Sequence, residues 1–253
     1  MATIAIGDVH GNLAALSDLL DQVRHELTAS DTVVFLGDYI DRGPDSKGCV
    51  DAILRFKEEV SADVVCLLGN HEEWFLKTMR DHTSHSWLLG MEAFDTMGSY
   101  SADAEGTLRE AASRAGAALY LGPCALPYEA FFDCVPADHR RFFEGLGLFH
   151  RTADCLCAHA GLDPRVARFE DQHRRSFVWG ANGFPEEYAG DEVIVYGHRN
   201  NATVDARGWP NPTIAGATIG LDTISHGVLT AARLPDRRVF QSARHRAPDR
   251  AAS

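Results

Sequence analysis

Nothing in this 253-residue sequence approaches the roughly 20 consecutive apolar residues that a membrane-crossing helix requires. No leader-like stretch precedes the first strand-like run at Thr3, so a cytoplasmic location is expected. Positive charge is scarce: 24 Lys and Arg stand against 36 Asp and Glu, a formal net charge of -12. A surface of that average sign repels nucleic acid and anionic lipid, so neither is expected as a partner. No Cys-x-x-Cys pair occurs among Cys49, Cys66, Cys124, Cys134, Cys155 and Cys157, and three of the six sit inside apolar runs. Buried free thiols are expected rather than disulfides or a zinc site. There is also no internal repeat.

What is present is a series of short apolar runs, each ending in side chains that bind metals. Thr3-Ile4-Ala5-Ile6 leads into Gly7-Asp8-Val9-His10-Gly11, and Thr32-Val33-Val34-Phe35-Leu36 into Gly37-Asp38-Tyr39-Ile40-Asp41-Arg42-Gly43. Val64-Val65-Cys66-Leu67-Leu68 leads into Gly69-Asn70-His71-Glu72, Cys155-Leu156-Cys157-Ala158 into His159-Ala160-Gly161, and Val193-Ile194-Val195-Tyr196 into Gly197-His198. Runs this short and this rich in β-branched residues read as strands buried on both faces.

Helical stretches follow the first three runs, at 12–27, 44–60 and 72–79, and such alternation implies parallel strands covered by helices. Ligands in these sheets gather at the carboxyl ends of the strands, where every cluster here falls. Residues 1–242 are expected to form one domain, with a mostly helical insertion at about 78–150 containing helices at 104–115 and 137–146. Strand-like runs at 218–222, 228–232 and 239–241 suggest an antiparallel tail, and residues 243–253 are expected to be disordered.

The chemistry follows from the donor types. Asp8 and His10 are candidate ligands of a first ion, and Asp38, with two carboxylate oxygens, is the natural bridge between ions roughly 3.5–4 Å apart. Asn70, His159 and His198 complete a second site whose mixed N/O donors suit Mn, Fe or Zn better than Ca or Mg alone. Two ions so held lower the pKa of a bridging water until hydroxide exists near neutral pH, so no protein nucleophile is needed. His71 is placed to protonate a departing alcohol, Asp41 to hold its imidazolium, and Arg42 to grip phosphate oxygens with its fork. Asp222 is read either as close to the site or as fold support, and Asp163 as a turn residue before Pro164.

With these residues in hand, the chain resembles the calcineurin-like metallophosphoesterases, and within them the bacterial serine/threonine phosphoprotein phosphatases. Gly-Asp-x-His-Gly, Gly-Asp-x-x-Asp-Arg-Gly and Gly-Asn-His-Glu occur in the family's order, and the likeness covers about residues 3–240. The resemblance implies a four-layer α/β/β/α sandwich with two central β-sheets and a dinuclear centre often loaded with Mn²⁺. It assigns Asp8, His10 and Asp38 to one ion, and Asp38, Asn70, His159 and His198 to the other. It also gives the acid role to His71 with Asp41, and phosphate binding to Arg42.

Two departures stand out. Relatives carry a second phosphate-binding Arg just after a Trp, whereas Trp179 here precedes Gly180-Ala181-Asn182, leaving Arg199 or the pair Arg174-Arg175 as replacements. The segment Asp222-Thr223-Ile224-Ser225-His226-Gly227 also differs from the family form and brings in His226. The implied activity is hydrolysis of phosphoserine or phosphothreonine in proteins, or of a small phosphoester. The alternative is symmetrical hydrolysis of diadenosine tetraphosphate, against which Glu72 stands in place of that branch's usual Asp. A third reading, a catalytically dead phosphoprotein-binding module, rests only on the missing Arg.

Overall fold

A computed structural model describes residues 1–200 and 202–245. The strands are β1 (Thr3–Ile6), β2 (Thr32–Phe35), β3 (Asp63–Cys66), β4 (Phe149–Arg151), β5 (Leu156–Ala158) and β6 (Ile194–Tyr196). They continue with β7 (Thr203–Val204), β8 (Pro210–Asn211), β9 (Thr213–Ala215), β10 (Thr218–Gly220), β11 (Thr230–Leu234) and β12 (Arg238–Gln241). Two five-stranded mixed sheets form, ordered β12-β11-β1-β2-β3 and β4-β5-β6-β10-β9, with β7 and β8 as a separate pair.

Alternation along each strand builds the layers, because successive side chains point to opposite faces. Ala5, Val34, Ala232 and Leu234 of the first sheet meet Cys157, Val195 and Ile219 of the second in one dry cluster between the sheets. The intervening residues Ile4, Ile6, Val33 and Phe35 face outward and pack under helices. The fold is therefore mixed α/β, with two central sheets flanked by helices, as the sequence implied.

Helices α1 (Leu13–Arg24) and α2 (Ser46–Glu59) begin where side chains satisfy free amides: Asn12 accepts from the Ala15 N–H at 3.1 Å and Asp45 from the Gly48 N–H at 2.7 Å. Helix α3 (Asn70–Arg80) starts inside the Gly69-Asn70-His71-Glu72 cluster, so two candidate site residues form its first turn. Between α3 and β4 lie α4 (Ser86–Gly90), α5 (Ala93–Tyr100), α6 (Ala102–Ala115), α7 (Ala118–Leu121), α8 (Glu129–Phe132) and α9 (Ala137–Glu144). The insertion is thus helical throughout, and Trp87, Phe131, Phe132 and Phe143 clasp Phe75 of α3 with ring centroids 4.5–6.3 Å apart. Helix α10 (Arg174–Trp179) covers part of the second sheet.

One expectation for the tail is corrected. Strands β11 and β12 are antiparallel, but β10 runs parallel to β6 and antiparallel only to β9. Short runs do not encode the direction of their partner, which is set by the connection between them. The Ala243–His245 stretch is held in place, its ends bonded to Asp18 and Gly227, and residues 246–253 lie outside the described set. All six cysteines are free. Among the described residues, no helix is long and apolar enough to cross a membrane.

Candidate metal centre

Strands β1, β2 and β3 run parallel, as do β5 and β6, and all five release their chains toward one place. The two sheets are tied there by His159, whose Nδ1–H donates to the Leu36 carbonyl at 3.0 Å. Asp38 sits at the centre. Its carboxylate groups with His10 and His71 on one side, and with His159 and His198 on the other.

Backbone geometry marks the same residues. Eight non-glycine residues among those described have positive φ, and five of them are His10, Asp38, Asp41, Arg42 and His198. Such conformations are uncommon and cost energy unless the surroundings fix them, and here they fall on three candidate ligands and on Asp41 and Arg42 beside them. Two glycines permit close approach: a Cβ on Gly69 would run into Asp38 Oδ1, and one on Gly197 into Asp8 Oδ1.

Protonation states follow from hydrogen bonds. His10 Nδ1–H donates to the Ile40 carbonyl at 3.0 Å, leaving Nε2 as a lone pair that accepts from Arg42 Nη1 at 3.0 Å. His159 spends its Nδ1 proton on Leu36, so its Nε2 lone pair faces Asn70 Oδ1 at 2.9 Å and Asp38 Oδ1 at 3.4 Å. His198 Nδ1 lies 2.9 Å from the same Asn70 oxygen. Lone-pair atoms gathered this closely call for a cation between them.

Charge makes the same demand. Burial lowers His10 to a pKa of about 3 and His198 to about 4, and lowers His159 too, so all three candidate ligands are neutral at pH 7. Burial, then the charges of Asp222 and Asp38, pushes Asp8 well above the usual carboxylate range. Burial also opposes ionisation of Asp38, but the histidines around it win and hold it below that range. Buried carboxylates beside neutral imidazoles fit divalent ions.

His71 differs from the other histidines. Its Nδ1–H donates to Asp41 Oδ2 at 2.7 Å, while Nε2 is buried without a partner 3.8 Å from Asp38 Oδ2. Burial disfavours its charge, yet Asp38 and Asp41 outweigh that and raise its pKa. Asp41 in turn accepts from Thr96 Oγ1 at 2.6 Å and from Trp87 Nε1 at 3.0 and 3.1 Å. Thr96 and Trp87 belong to the insertion, and sequence reasoning missed them because no spacing links them to Asp41. Trp87→Phe should cost about 1.5–3 kcal/mol of stability, the scale of a bond to a charged group, read from urea denaturation.

Glu72 is a third residue whose role was unread. Its carboxylate accepts from the amides of Asp38, Tyr39, Ile40 and Gly69 at 2.8–3.3 Å, stapling the Asp38 loop to the start of α3. Burial and then the Asp38 charge push it up to about 8, against those amide donors. In Glu72→Gln an NH₂ group must face N–H donors at every pH, whereas the carboxyl accepts with both oxygens once ionised, so the comparison is made above pH 8. A loss of about 2–4 kcal/mol is expected, measured by thermal or urea unfolding.

The remaining candidates divide. The Asp8 oxygens accept from the His198 N–H at 3.0 and 3.1 Å, which places Asp8 beside the centre but outside both side-chain clusters around Asp38. Arg199 lies over the Trp179-Gly180-Ala181 turn, where Nη2 donates to the Ala181 carbonyl at 3.0 Å. A side chain at Gly180 would press on that guanidinium, so Arg199 occupies the place where the expected Arg is missing. Arg174 is instead paired with Glu73 at 2.9 Å, and Arg175 lies over Trp179. Asp222 is buried, accepts from the Asn200 N–H at 2.6 Å and is raised to about 6 by burial. Asp163 accepts from the Arg165 N–H as a turn residue does.

The calcineurin-like phosphoesterase family model matches residues 1–216. The chain belongs to this family. Curated relatives align over shorter stretches. A zinc-dependent endopolyphosphatase of Saccharomyces cerevisiae is 42% identical over 69 residues, 27% of this chain and 20% of that one. A symmetrical bis(5'-nucleosyl)-tetraphosphatase of Nitrosospira multiformis is 39% identical over 72 residues, 28% and 24% of the two chains. Serine/threonine-protein phosphatase 1 of Salmonella typhimurium is 37% identical over 84 residues, 33% and 36%. The aligned segment spans only about a fifth to a third of these relatives.

Solved structures extend the likeness in fold. One provisionally described as a diadenosine tetraphosphatase superposes with a TM-score of 0.61 at 22% identity, covering 95% of this chain and 92% of the other. A serine/threonine phosphatase of Saccharomyces cerevisiae gives 0.52 at 16% identity, covering 98% and 82%. Membership of the calcineurin-like phosphoesterases makes the chain a hydrolase of a family that uses divalent metals, and the cluster around Asp38 supplies candidate ligands for them.

Proposed function

We propose that this chain is a two-metal phosphomonoester hydrolase whose centre is organised by Asp38. One observation carries the reading: a single buried carboxylate is shared by two separate groups of buried and half-buried donors. Asp8, His10 and Asp38 would hold one ion; Asp38, Asn70, His159 and His198 would hold the other. When bound, the ions, Mn²⁺ by resemblance, supply Lewis acidity that activates water and offsets charge on the phosphoryl oxygens.

The other residues divide the remaining work. Arg42, beside His10, and Arg199, which shares a hollow with His198, offer guanidinium forks to the phosphate. His71 keeps a proton at Nε2 and delivers it to the departing oxygen, and Asp41 fixes the ring by taking Nδ1–H. Trp87 and Thr96 hold Asp41 in turn.

The finer reading is hydrolysis of phosphoserine or phosphothreonine in proteins, supported by the Salmonella relative and by Glu72 in the Gly69-Asn70-His71-Glu72 cluster. Symmetrical hydrolysis of diadenosine tetraphosphate is the second reading, favoured by tetraphosphatases that align over 72 and 81 residues, against 84 for the Salmonella phosphatase. Parallel assays with Mn²⁺ on a phosphoserine peptide, p-nitrophenyl phosphate and diadenosine tetraphosphate separate them. Turnover of the first two supports the phosphatase; release of two ADP from the third, with little peptide turnover, overturns it.

A further inference from the structure

A cavity of about 440 Å³ opens directly from the centre on the His10 and Arg42 side. Its far wall is formed by Ser225 and His226 and by Arg244 of the C-terminal segment, with Asn12 at its edge. The volume lies within the roughly 300–1,000 Å³ range of small-molecule sites. The lining contains two arginines, two histidines and no carboxylate, in a chain of net charge -12. A cationic hollow in an acidic protein selects an anion.

Arg244 is fixed in place. Its guanidinium lies 5.2 Å from the Trp209 ring centroid, and Nη2 donates to the Gly208 carbonyl. The segment carrying it is pinned on both sides: Asn12 Nδ2 donates to the His245 carbonyl at 2.7 Å, and the His245 N–H to the Gly227 carbonyl at 2.7 Å. Arg244 Nε is buried with no hydrogen-bond partner, and Arg42 feels the charges of Asp8 and Asp222 while its Nη1 donates to His10. The nearby acids are engaged elsewhere: Asp18 accepts from the Ala243 N–H at 2.5 Å and Asp222 from Asn200.

We propose that this cavity is a subsite for a second phosphate, carried by the departing part of the substrate and held by Arg244 and His226, while Arg42 serves the phosphate that is cleaved. The ligand class is a small-molecule phosphoanhydride. Hydrolysis adds the oxygen of one water to phosphorus and breaks the bond to the bridging oxygen, which leaves on the second phosphate with the electron pair of that bond. The two protons of the water are shared between the two phosphate products or released to solvent. The proposal rests on the hydrolase reading above, and it bears on the choice between the two substrates by favouring a phosphoanhydride over an ester of a neutral alcohol.

Calorimetric titration of the Mn²⁺-loaded chain with orthophosphate and with methylenediphosphonate tests it, because a carbon in place of the bridging oxygen prevents cleavage. The unaltered chain should bind the diphosphonate at least about tenfold more tightly than phosphate, the scale of one charge-assisted contact. Arg244→Ala should remove most of that preference and Arg244→Lys only part of it. No preference in the unaltered chain, or full preference in Arg244→Ala with an unchanged thermal midpoint, overturns the subsite. Should Arg244→Ala fail to fold, His226→Ala carries the comparison, and full preference there overturns it. A chain that shows the preference yet hydrolyses no phosphoester keeps the subsite and loses the hydrolase reading. One that hydrolyses p-nitrophenyl phosphate while Arg244→Ala keeps the preference does the opposite.

Discussion

Asp38→Asn should leave a folded chain whose metal-dependent turnover has fallen by roughly a thousandfold or more. The fold should survive because Asp38 has φ of 52°, and Asn tolerates that left-handed conformation better than almost any other side chain. Its surroundings would still change. Among the described residues, Asp38 is the one anion found in both groups of donors, lying 3.4 Å from His159, 3.6 Å from His10 and 3.8 Å from His71. A neutral amide removes the shared charge and one of the two carboxylate oxygens. Metal content by mass spectrometry and turnover of p-nitrophenyl phosphate should fall together, while circular dichroism stays as in the unaltered chain. Full turnover in Asp38→Asn would sink the proposed mechanism.

His71→Ala should show a loss that depends on the leaving group. For phenyl phosphate or a phosphoserine peptide the departing oxygen needs a proton, and a general acid contributes about 10²–10⁴-fold. For 2,4-dinitrophenyl phosphate the departing anion is stable by itself, and the loss should be small. The pH dependence has a definite sign. Asp38 and Asp41 raise His71 above its ordinary value, so the acid form persists to higher pH than in a free imidazole and is lost as pH rises through the raised pKa. Turnover of phenyl phosphate should therefore decline on the alkaline side, and that decline should vanish in His71→Ala. An equal loss for all three leaving groups would show that His71 acts as a structural or ligand residue instead.

The sequence made the centre legible for a specific reason. Parallel strands deliver whatever follows them to one edge, so five apolar runs ending in Asp, Asn or His already imply convergence, and the donors of β2, β3, β5 and β6 do meet. Residues that act across the fold were harder to read. Trp87 and Thr96 reach Asp41 from an insertion with no periodic relation to it. Glu72 was read as a family marker, whereas four amides converge on its carboxylate. Arg199 fills the turn after Trp179 only because Gly180 leaves it room, and Arg244 faces the site only because its segment folds back onto Asn12. Local runs report their own burial and end points; they do not report which distant segment folds over them. The direction of β10 was misread for the same reason.

The number of Mn²⁺ ions bound per chain, measured by equilibrium titration and electron paramagnetic resonance, tests the centre most directly. The account predicts two ions per chain, close enough to be magnetically coupled, with the coupled signal lost in Asp38→Asn. A chain that binds none, or a single uncoupled ion that Asp38→Asn leaves in place, would contradict it.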